Sequence, residues 1–335
     1  MDLPEGLETW AADAISALGG TPPLSWQALA AEASYRHFYR VRGRATERGR
    51  EQPRGSWVVM WSPPQLENNS PFVALARLFR RHGIGVPELH AVDLNRGYAL
   101  LADLGSRHFA DLYAEQGPGS LLEATLDTLL RLQAIDDAAI PPYTAQRFRD
   151  ELTIFTEWFA ARWLGTPAPE ASLEPCFETL VACTQEQPQC CVHRDFHCRN
   201  LLLDDAGRVG VVDFQDALRG PAAYDLASLL RDCYYRFPEA EVARWREAYL
   251  TRSPLPLDRD RFARQLDLTA IQRQLKAVGI FARLQLRDGK TSHLRHILPV
   301  LEQTGELSGR YRELEPLAGY LQRVLPAAAA RLRTG

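Results

Sequence analysis

The 335-residue sequence predicts an α+β fold with a small β-rich N-terminal lobe, residues 1–104, and a larger, mostly helical C-terminal lobe, residues 105–335. Two observations carry that expectation. Before residue 104, short runs of β-forming residues are broken by Pro and Gly. After Asp103-Leu104-Gly105, apolar residues recur at helical spacing almost to the end. Size adds a third: a chain of this length, 46% hydrophobic and 24% charged, buries a full core as one large domain or as two lobes.

Taken in order, residues 5–18 form an amphipathic helix, with Leu7, Trp10, Ala11, Ala14, Ile15 and Leu18 on one stripe and Gly19-Gly20 ending it. Residues 35–42 and Ser56–Trp61 are strands, the second stopped by Pro63-Pro64. Pro71–Arg81 is a helix with Phe72, Leu75, Leu78 and Phe79 on one face. Residues 88–93 and 98–102 form a hairpin turned by Asn95-Arg96-Gly97. Helices follow over 107–115, 119–135, 145–163 and 173–186. A short β-hairpin over 201–212 interrupts them, and helices resume at 222. Pro221 fits the first turn of that helix, whose apolar face reads Ala222, Leu226, Leu229, Leu230, Cys233 and Phe237.

The composition excludes collagen, low-complexity disorder and a disulfide miniprotein. A net charge of −3 argues against a dedicated nucleic-acid binder. The six cysteines form no C-x-x-C pair and read as free thiols in a reducing compartment. Met1-Asp2-Leu3-Pro4-Glu5 is acidic where a signal peptide is basic, and no apolar run reaches the roughly 18 residues of a membrane span. A soluble cytoplasmic protein with no membrane partner is expected, its oligomeric state left open.

The residues that carry chemistry lie in His193-Arg194-Asp195-Phe196-His197-Cys198-Arg199-Asn200, an H-R-D-x-x-x-x-N pattern, followed after the hairpin by Asp213-Phe214-Gln215. The hairpin goes out and back, returning Asp213 to the level of Asn200. An amide oxygen and a carboxylate then converge as hard ligands for Mg²⁺ on nucleotide phosphates. Asp195 is left to orient a substrate hydroxyl and accept its proton. His193 orders the loop by hydrogen bonding, while His197 contacts substrate or packs the loop.

This stretch resembles the kinase superfamily, and within it the aminoglycoside-phosphotransferase and choline-kinase-like branch. A protein kinase would place a long activation segment after Asp213. Here Asp213-Phe214-Gln215-Asp216-Ala217-Leu218-Arg219-Gly220-Pro221 runs straight on, leaving no platform for a peptide. Tyr224-Asp225-Leu226-Ala227 looks like the family helix whose Asp fastens the catalytic loop, which implies that role for Asp225. Ala33-Ser34-Tyr35-Arg36-His37-Phe38-Tyr39-Arg40, Val58-Val59-Met60 and Leu101-Ala102-Asp103-Leu104-Gly105 are similar to one subgroup, the anomeric kinases of N-acetylmuramate and N-acetylglucosamine. The resemblance implies a bilobal protein-kinase-like fold with ATP between the lobes. It implies a hinge over Leu101 to Leu104, nucleotide contacts from Tyr35, Arg36, Arg40, Met60, Leu101, Asp103 and Leu104, and Mg²⁺ on Asn200 and Asp213. The implied reaction moves the γ-phosphate to the sugar C1 hydroxyl, in cell-wall recycling. Asp216 assists a second metal or contacts the sugar. For a lactyl carboxylate, His197, Arg199, Arg219 and Arg231 are the partners within sequence reach.

The sequence departs from the family at one point. A kinase's third strand supplies a phosphate-binding lysine, but of 39 basic residues here only Lys276 and Lys290 are lysines, far downstream. Arg36 and Arg40 are the nearest substitutes, since a guanidinium chelates phosphate with two hydrogen bonds, and Glu67 is a possible partner for either. Rival readings are a kinase of another small hydroxyl compound, of aminoglycoside or choline type, and a non-catalytic nucleotide-binding pseudokinase. Gly289-Lys290-Thr291 fails as a P-loop because Leu284 stands where glycine is needed. The cluster Cys190, Cys191, His193, His197 and Cys198 fits no common zinc spacing. His293–His296 reads as a helix surface, and Phe155, Trp158, Phe159 and Trp163 read as core.

Overall fold

The computed structural model describes residues 3–21, 25–29, 35–47 and 50–334, with side chains described outside 44–54 and 334. Along the chain run helix α1 (Leu7–Ala17), strands β1 (Ser25–Leu29), β2 (His37–Glu47) and β3 (Arg50–Trp61), helix α2 (Ser70–Arg81), and strands β4 (Leu89–Asp93) and β5 (Tyr98–Ala102). Helices α3 (Phe109–Gln116), α4 (Gly119–Gln133) and α5 (Ala145–Ile154) lead into a π-helical segment (Phe155–Leu164) and α6 (Glu170–Gln185). Strands β6 (Gln189–Val192), β7 (Leu201–Leu203), β8 (Val209–Val211) and β9 (Leu218–Pro221) follow. The chain ends in helices α7 (Ala223–Leu230), α8 (Glu239–Arg252), α9 (Arg259–Asp288), α10 (Ile297–Ser308) and α11 (Glu315–Thr334). Among the described residues no helix is long and apolar enough to cross a membrane.

These elements divide into two compact units: Met1–Arg107 with Leu201–Asp216, and His108–Asn200 with Ala217–Gly335. The division expected at 104/105 was continuous, and this one is not. The hairpin β7–β8 groups with the first unit because its backbone is bonded there. Val211 N–H donates to Gly85 O at 3.0 Å and Leu203 N–H to Arg107 O at 2.9 Å. Beyond the hairpin, the Phe214 ring stacks on Phe72 at 5.1 Å and tilts against Phe79.

The first unit is a five-stranded antiparallel sheet in the order β1-β2-β3-β5-β4. Strand β1 is an addition to the expected elements. Strand residues alternate between faces. One face presents Tyr39, Val41, Trp57, Val59, Tyr98 and Leu100 to Leu7, Ala11 and Ile15 of α1, which buries the helical stripe. The other face carries Arg40, Val58 and Leu101 in one cross-strand row and Phe38, Met60 and Ala99 in the next. Three residues expected at the nucleotide thus share the face away from α1.

The second unit is organised by α9, a 30-residue helix capped by the Asp258 carboxylate at its start and by left-handed Gly289 at its end. It is buried on several faces, so Gln265, Asp267, Gln272, Arg273, Gln274 and Lys276 all lie in the interior. Three expectations change in this unit. The single helix expected over 145–163 switches to π geometry at Phe155, beside the point where α9 presses closest. A Cβ on Gly279 would lie 2.6 Å from the carbonyl of Ile154. Pro221 closes strand β9, paired with Gln189 of β6, rather than opening a helix, and α7 ends at Leu230, so Cys233 and Phe237 lie beyond it. His293 is buried against the Phe281 ring at 5.2 Å instead of lying on a helix surface. Phe155, Phe159 and Trp163 are core, as expected, with Trp158 half-buried under Arg162.

The Gly279 contact is testable. Gly279→Ala is expected to destabilise the fold by about 1–3 kcal/mol through overpacking, read as a lower urea midpoint. An unchanged midpoint would show that α9 and Ile154 can separate without cost.

Candidate active site

In the second unit the loop His193–Asn200 is delivered by β6 and fastened from below by α7. Asp225, in the first turn of α7 and fully buried, accepts the backbone N–H of His193 at 2.6 Å and of Arg194 at 2.9 Å. The His193 ring is bonded within the loop, its Nδ1 accepting the Asp195 N–H at 3.3 Å. Arg194 adopts φ +79°, a left-handed conformation that costs a non-glycine residue about 1–3 kcal/mol. The surrounding bonds hold it there. Its guanidinium donates to Glu151 at 2.6 Å and lies over the Tyr143 ring, and its carbonyl accepts from Arg273 at 3.0 Å.

Asp195 is thereby presented with its side chain 38% exposed, between fixed neighbours. Its carbonyl accepts from the His197 N–H at 3.0 Å and from Asn200 Nδ2 at 3.0 Å, which closes the loop on itself. The far end is pinned by Asp232, whose carboxylate accepts the Cys198 N–H at 2.9 Å. His197 meets the Tyr234 ring edge-on, and Arg199 lies over the same ring at 4.6 Å. Of the other cations considered for an acidic acceptor, Arg231 is buried between Glu239 and Asp267, and Arg219 pairs with Asp136.

The electrostatics follow from this packing. Burial pushes the Asp195 carboxyl up, but the positive charges of Lys276, His197, Arg273 and Arg194 outweigh it and hold the group well below the usual carboxylate range. Burial wins at Asp225, where it pushes the carboxyl up to about 7 against its two backbone donors.

In the first unit, Tyr35 is exposed and its N–H donates to Glu67 at 3.4 Å. Ala33 and Ser34 of the expected nucleotide-covering turn lie outside the described residues. Neither candidate arginine is a solvated strand charge. Arg36 is buried and pairs with Glu67 at 3.1 Å, the partnership considered from sequence. Arg40 chelates Asp103 through Nε at 2.7 Å and Nη2 at 3.0 Å and also reaches Gly105 O at 2.6 Å. Ser56 and the Gly105 N–H complete the set around Asp103, at 2.5 and 2.9 Å. The Asp103 side chain is therefore taken up in bracing the end of β5, and burial is outweighed there by these donors, leaving its carboxyl below the ordinary range. Met60 and Leu101 are buried within the sheet, and Leu104 packs on Gly210, where a Cβ would come within 3.0 Å of it.

Asp213 and Asp216 are exposed residues of this same unit. Asp213 has φ +64° and accepts Gln215 Nε2 at 2.7 Å. The hairpin before it pairs Leu201 with Val211. Asn200 offers an amide oxygen and Asp213 a carboxylate oxygen, each a hard donor of the type Mg²⁺ takes. No group of three His, Cys, Asp or Glu side chains able to hold a metal occurs among the described residues.

The sequence reading missed Glu151, Asp232, Arg273 and Lys276, all of which act on the loop. They are single polar residues within helices or just beyond one, and only their burial marks them.

The profile of the phosphotransferase enzyme family (APH) matches residues 25–264. The chain is 34% identical to the N-acetylmuramate/N-acetylglucosamine kinase of Pseudomonas putida, over 94% of this chain and 93% of that one. It is 36% identical to the protein of the same name from Pseudomonas aeruginosa, over 93% and 91%. Among solved structures, choline kinase LicA from Streptococcus pneumoniae shares the fold with a TM-score of 0.63 at 12% identity, over 90% of this chain and 100% of that one.

Asp225 gives a pH signature. Its folded-state pKa lies above the ordinary 3.8, so the stability it contributes is fully present below about pH 4 and is lost as pH rises through about 7. Asn does not titrate. The urea midpoint of the unmodified protein is expected to fall from about pH 5 to about pH 8 more steeply than that of Asp225→Asn. Equal slopes would show Asp225 ionised throughout.

Proposed function

The chain belongs to the phosphotransferase enzyme family and has its kinase-like fold; from that premise we propose that it is a cytoplasmic kinase transferring the γ-phosphate of ATP to the anomeric C1 hydroxyl of N-acetylmuramate and N-acetylglucosamine, in peptidoglycan recycling. The observation that carries this reading is the His193–Asn200 loop, with Asp195 half-exposed and held ionised, in a chain similar over nine-tenths of its length to two kinases named for those sugars.

The chemistry asks little covalent work of the protein. The C1 oxygen attacks the γ-phosphorus, the bond to the ADP oxygen breaks, and the hydroxyl proton passes to Asp195 Oδ. An anomeric hydroxyl is more acidic than an ordinary alcohol, so a carboxylate suffices as base. Asn200 and Asp213 would hold Mg²⁺, which would neutralise phosphate charge. Arg36, buried and paired with Glu67, takes the place of the absent strand lysine in this reading. His197 and Arg199, which both lie against the Tyr234 ring, are our candidates for meeting a lactyl carboxylate.

Incubation with ATP, Mg²⁺ and each of N-acetylmuramate, N-acetylglucosamine, choline and kanamycin tests the reading. The two amino sugars are expected to be phosphorylated, with loss of reducing-end reactivity because C1 is blocked, and chelation of Mg²⁺ should abolish turnover. Asp195→Asn should lower kcat by about 10²–10⁴-fold. Phosphorylation of kanamycin or choline alone, a product that keeps its reducing end, or no turnover with any acceptor would overturn it.

A further inference from the structure

Beneath the catalytic loop lies a buried charge cluster that none of the roles above uses. Its centre is Glu151 of α5, 5% exposed. Glu151 Oε1 takes the Arg194 guanidinium at 2.6 Å and the Lys276 ammonium at 3.2 Å. Its Oε2 accepts from Gln272 at 3.2 Å and from the Tyr143 hydroxyl. Gln272, Arg273 and Lys276 stand at i, i+1 and i+4 on α9, so one face of that helix meets the loop. Arg273 from this face reaches to 3.9 Å from Asp195 Oδ1. Glu151 is held ionised: burial raises its carboxyl, and Lys276 and then Arg194 bring it below the ordinary range.

A lysine here is informative in a chain whose basic residues are almost all arginine. Glu151 Oε1 already carries one guanidinium. A compact ammonium with three rotatable donors can share that oxygen with a planar guanidinium and still project its charge elsewhere. Lys276 and Arg194 share Glu151 Oε1 directly behind the turn that presents Asp195, and Lys276 and Arg273 both act on that carboxylate as positive charges.

We propose that Lys276, anchored by Glu151, is a positioning residue that aims the Asp195 carboxylate at the acceptor hydroxyl. The proposal rests on Asp195 being the acceptor-activating base. Lys276 does not bind the acceptor; it acts through Asp195, so its removal changes the chemical step and leaves the binding of either substrate in place.

The test uses the full chain with whichever acceptor the unmodified enzyme phosphorylates. Lys276→Met is expected to lower kcat about 10–100-fold, with KM for ATP and for the acceptor unchanged within about threefold. In an Asp195→Asn background, Lys276→Met should cost nothing further, because the two residues act as one unit. Should Lys276→Met not fold, Lys276→Gln, which still donates to Glu151, carries the same comparison. An unchanged kcat, a rise in acceptor KM with kcat intact, or a further loss in the Asp195→Asn background overturns the proposal. If Asp195→Asn alone keeps full kcat, the assignment of the base has failed; if it is inactive while Lys276→Met keeps full kcat, only the role of Lys276 has failed.

Discussion

The pair of backbone hydrogen bonds from His193 and Arg194 to the buried carboxylate of Asp225 is the constraint on which the rest of the loop depends. A loop that presents a carboxylate to solvent has no secondary structure to satisfy its own backbone, and orphaned N–H groups in the interior are costly. Asp225 answers two of them from the first turn of α7, and strand pairing of β6 with β9 sets the height at which that turn begins. Once those bonds are made, Arg194 is forced into a left-handed backbone. The direction in which the Asp195 backbone leaves the turn follows from that strain, and the cations around its side chain act on the carboxylate from there.

Strain of this kind persists only where surroundings over-determine it. Here the Arg194 side chain is gripped by Glu151 and Tyr143 and its carbonyl by Arg273, so the left-handed turn is held at both ends of the residue. The same layer tunes charge. Two carboxylates in adjoining turns respond in opposite directions: Asp225, faced by backbone dipoles and deeply buried, is pushed towards neutrality, while Asp195, ringed by cations, stays ionised. A pair of acids driven apart in this way is what the proposed base and its structural support would require.

The first unit solves a separate problem with similar means. Without a strand lysine, the buried cations among its described residues are arginines, and each is given a carboxylate: Glu67 for Arg36, Asp103 for Arg40. The Arg40 pair is bidentate and braced by Ser56 and Gly105, which makes it a fixture of the sheet end, whereas Arg36 pairs with Glu67, which also accepts the N–H of the exposed Tyr35. That difference in commitment separates two residues that had been equivalent as letters.

Much was legible in the sequence because it rests on local rules. The H-R-D spacing, the turn at Asn95-Arg96-Gly97, the amphipathic stripes of α1 and α2 and the Asp225 motif all depend on residues close in the chain, and periodicity and turn chemistry report them directly. What tertiary structure alone decided depends on partners far apart. Glu151 and Lys276 are separated by more than a hundred residues and acquire meaning only when α5 and α9 cross. The π turn at Phe155 arises beside Gly279 on the opposite helix, Pro221 joins a strand because β6 lies alongside it, and the hairpin after Asn200 takes its place from bonds to Gly85 and Arg107. Burial converts an ordinary helical lysine or glutamate into a determinant of charge at a distance, and burial is a property of the packed chain that no short window of sequence contains.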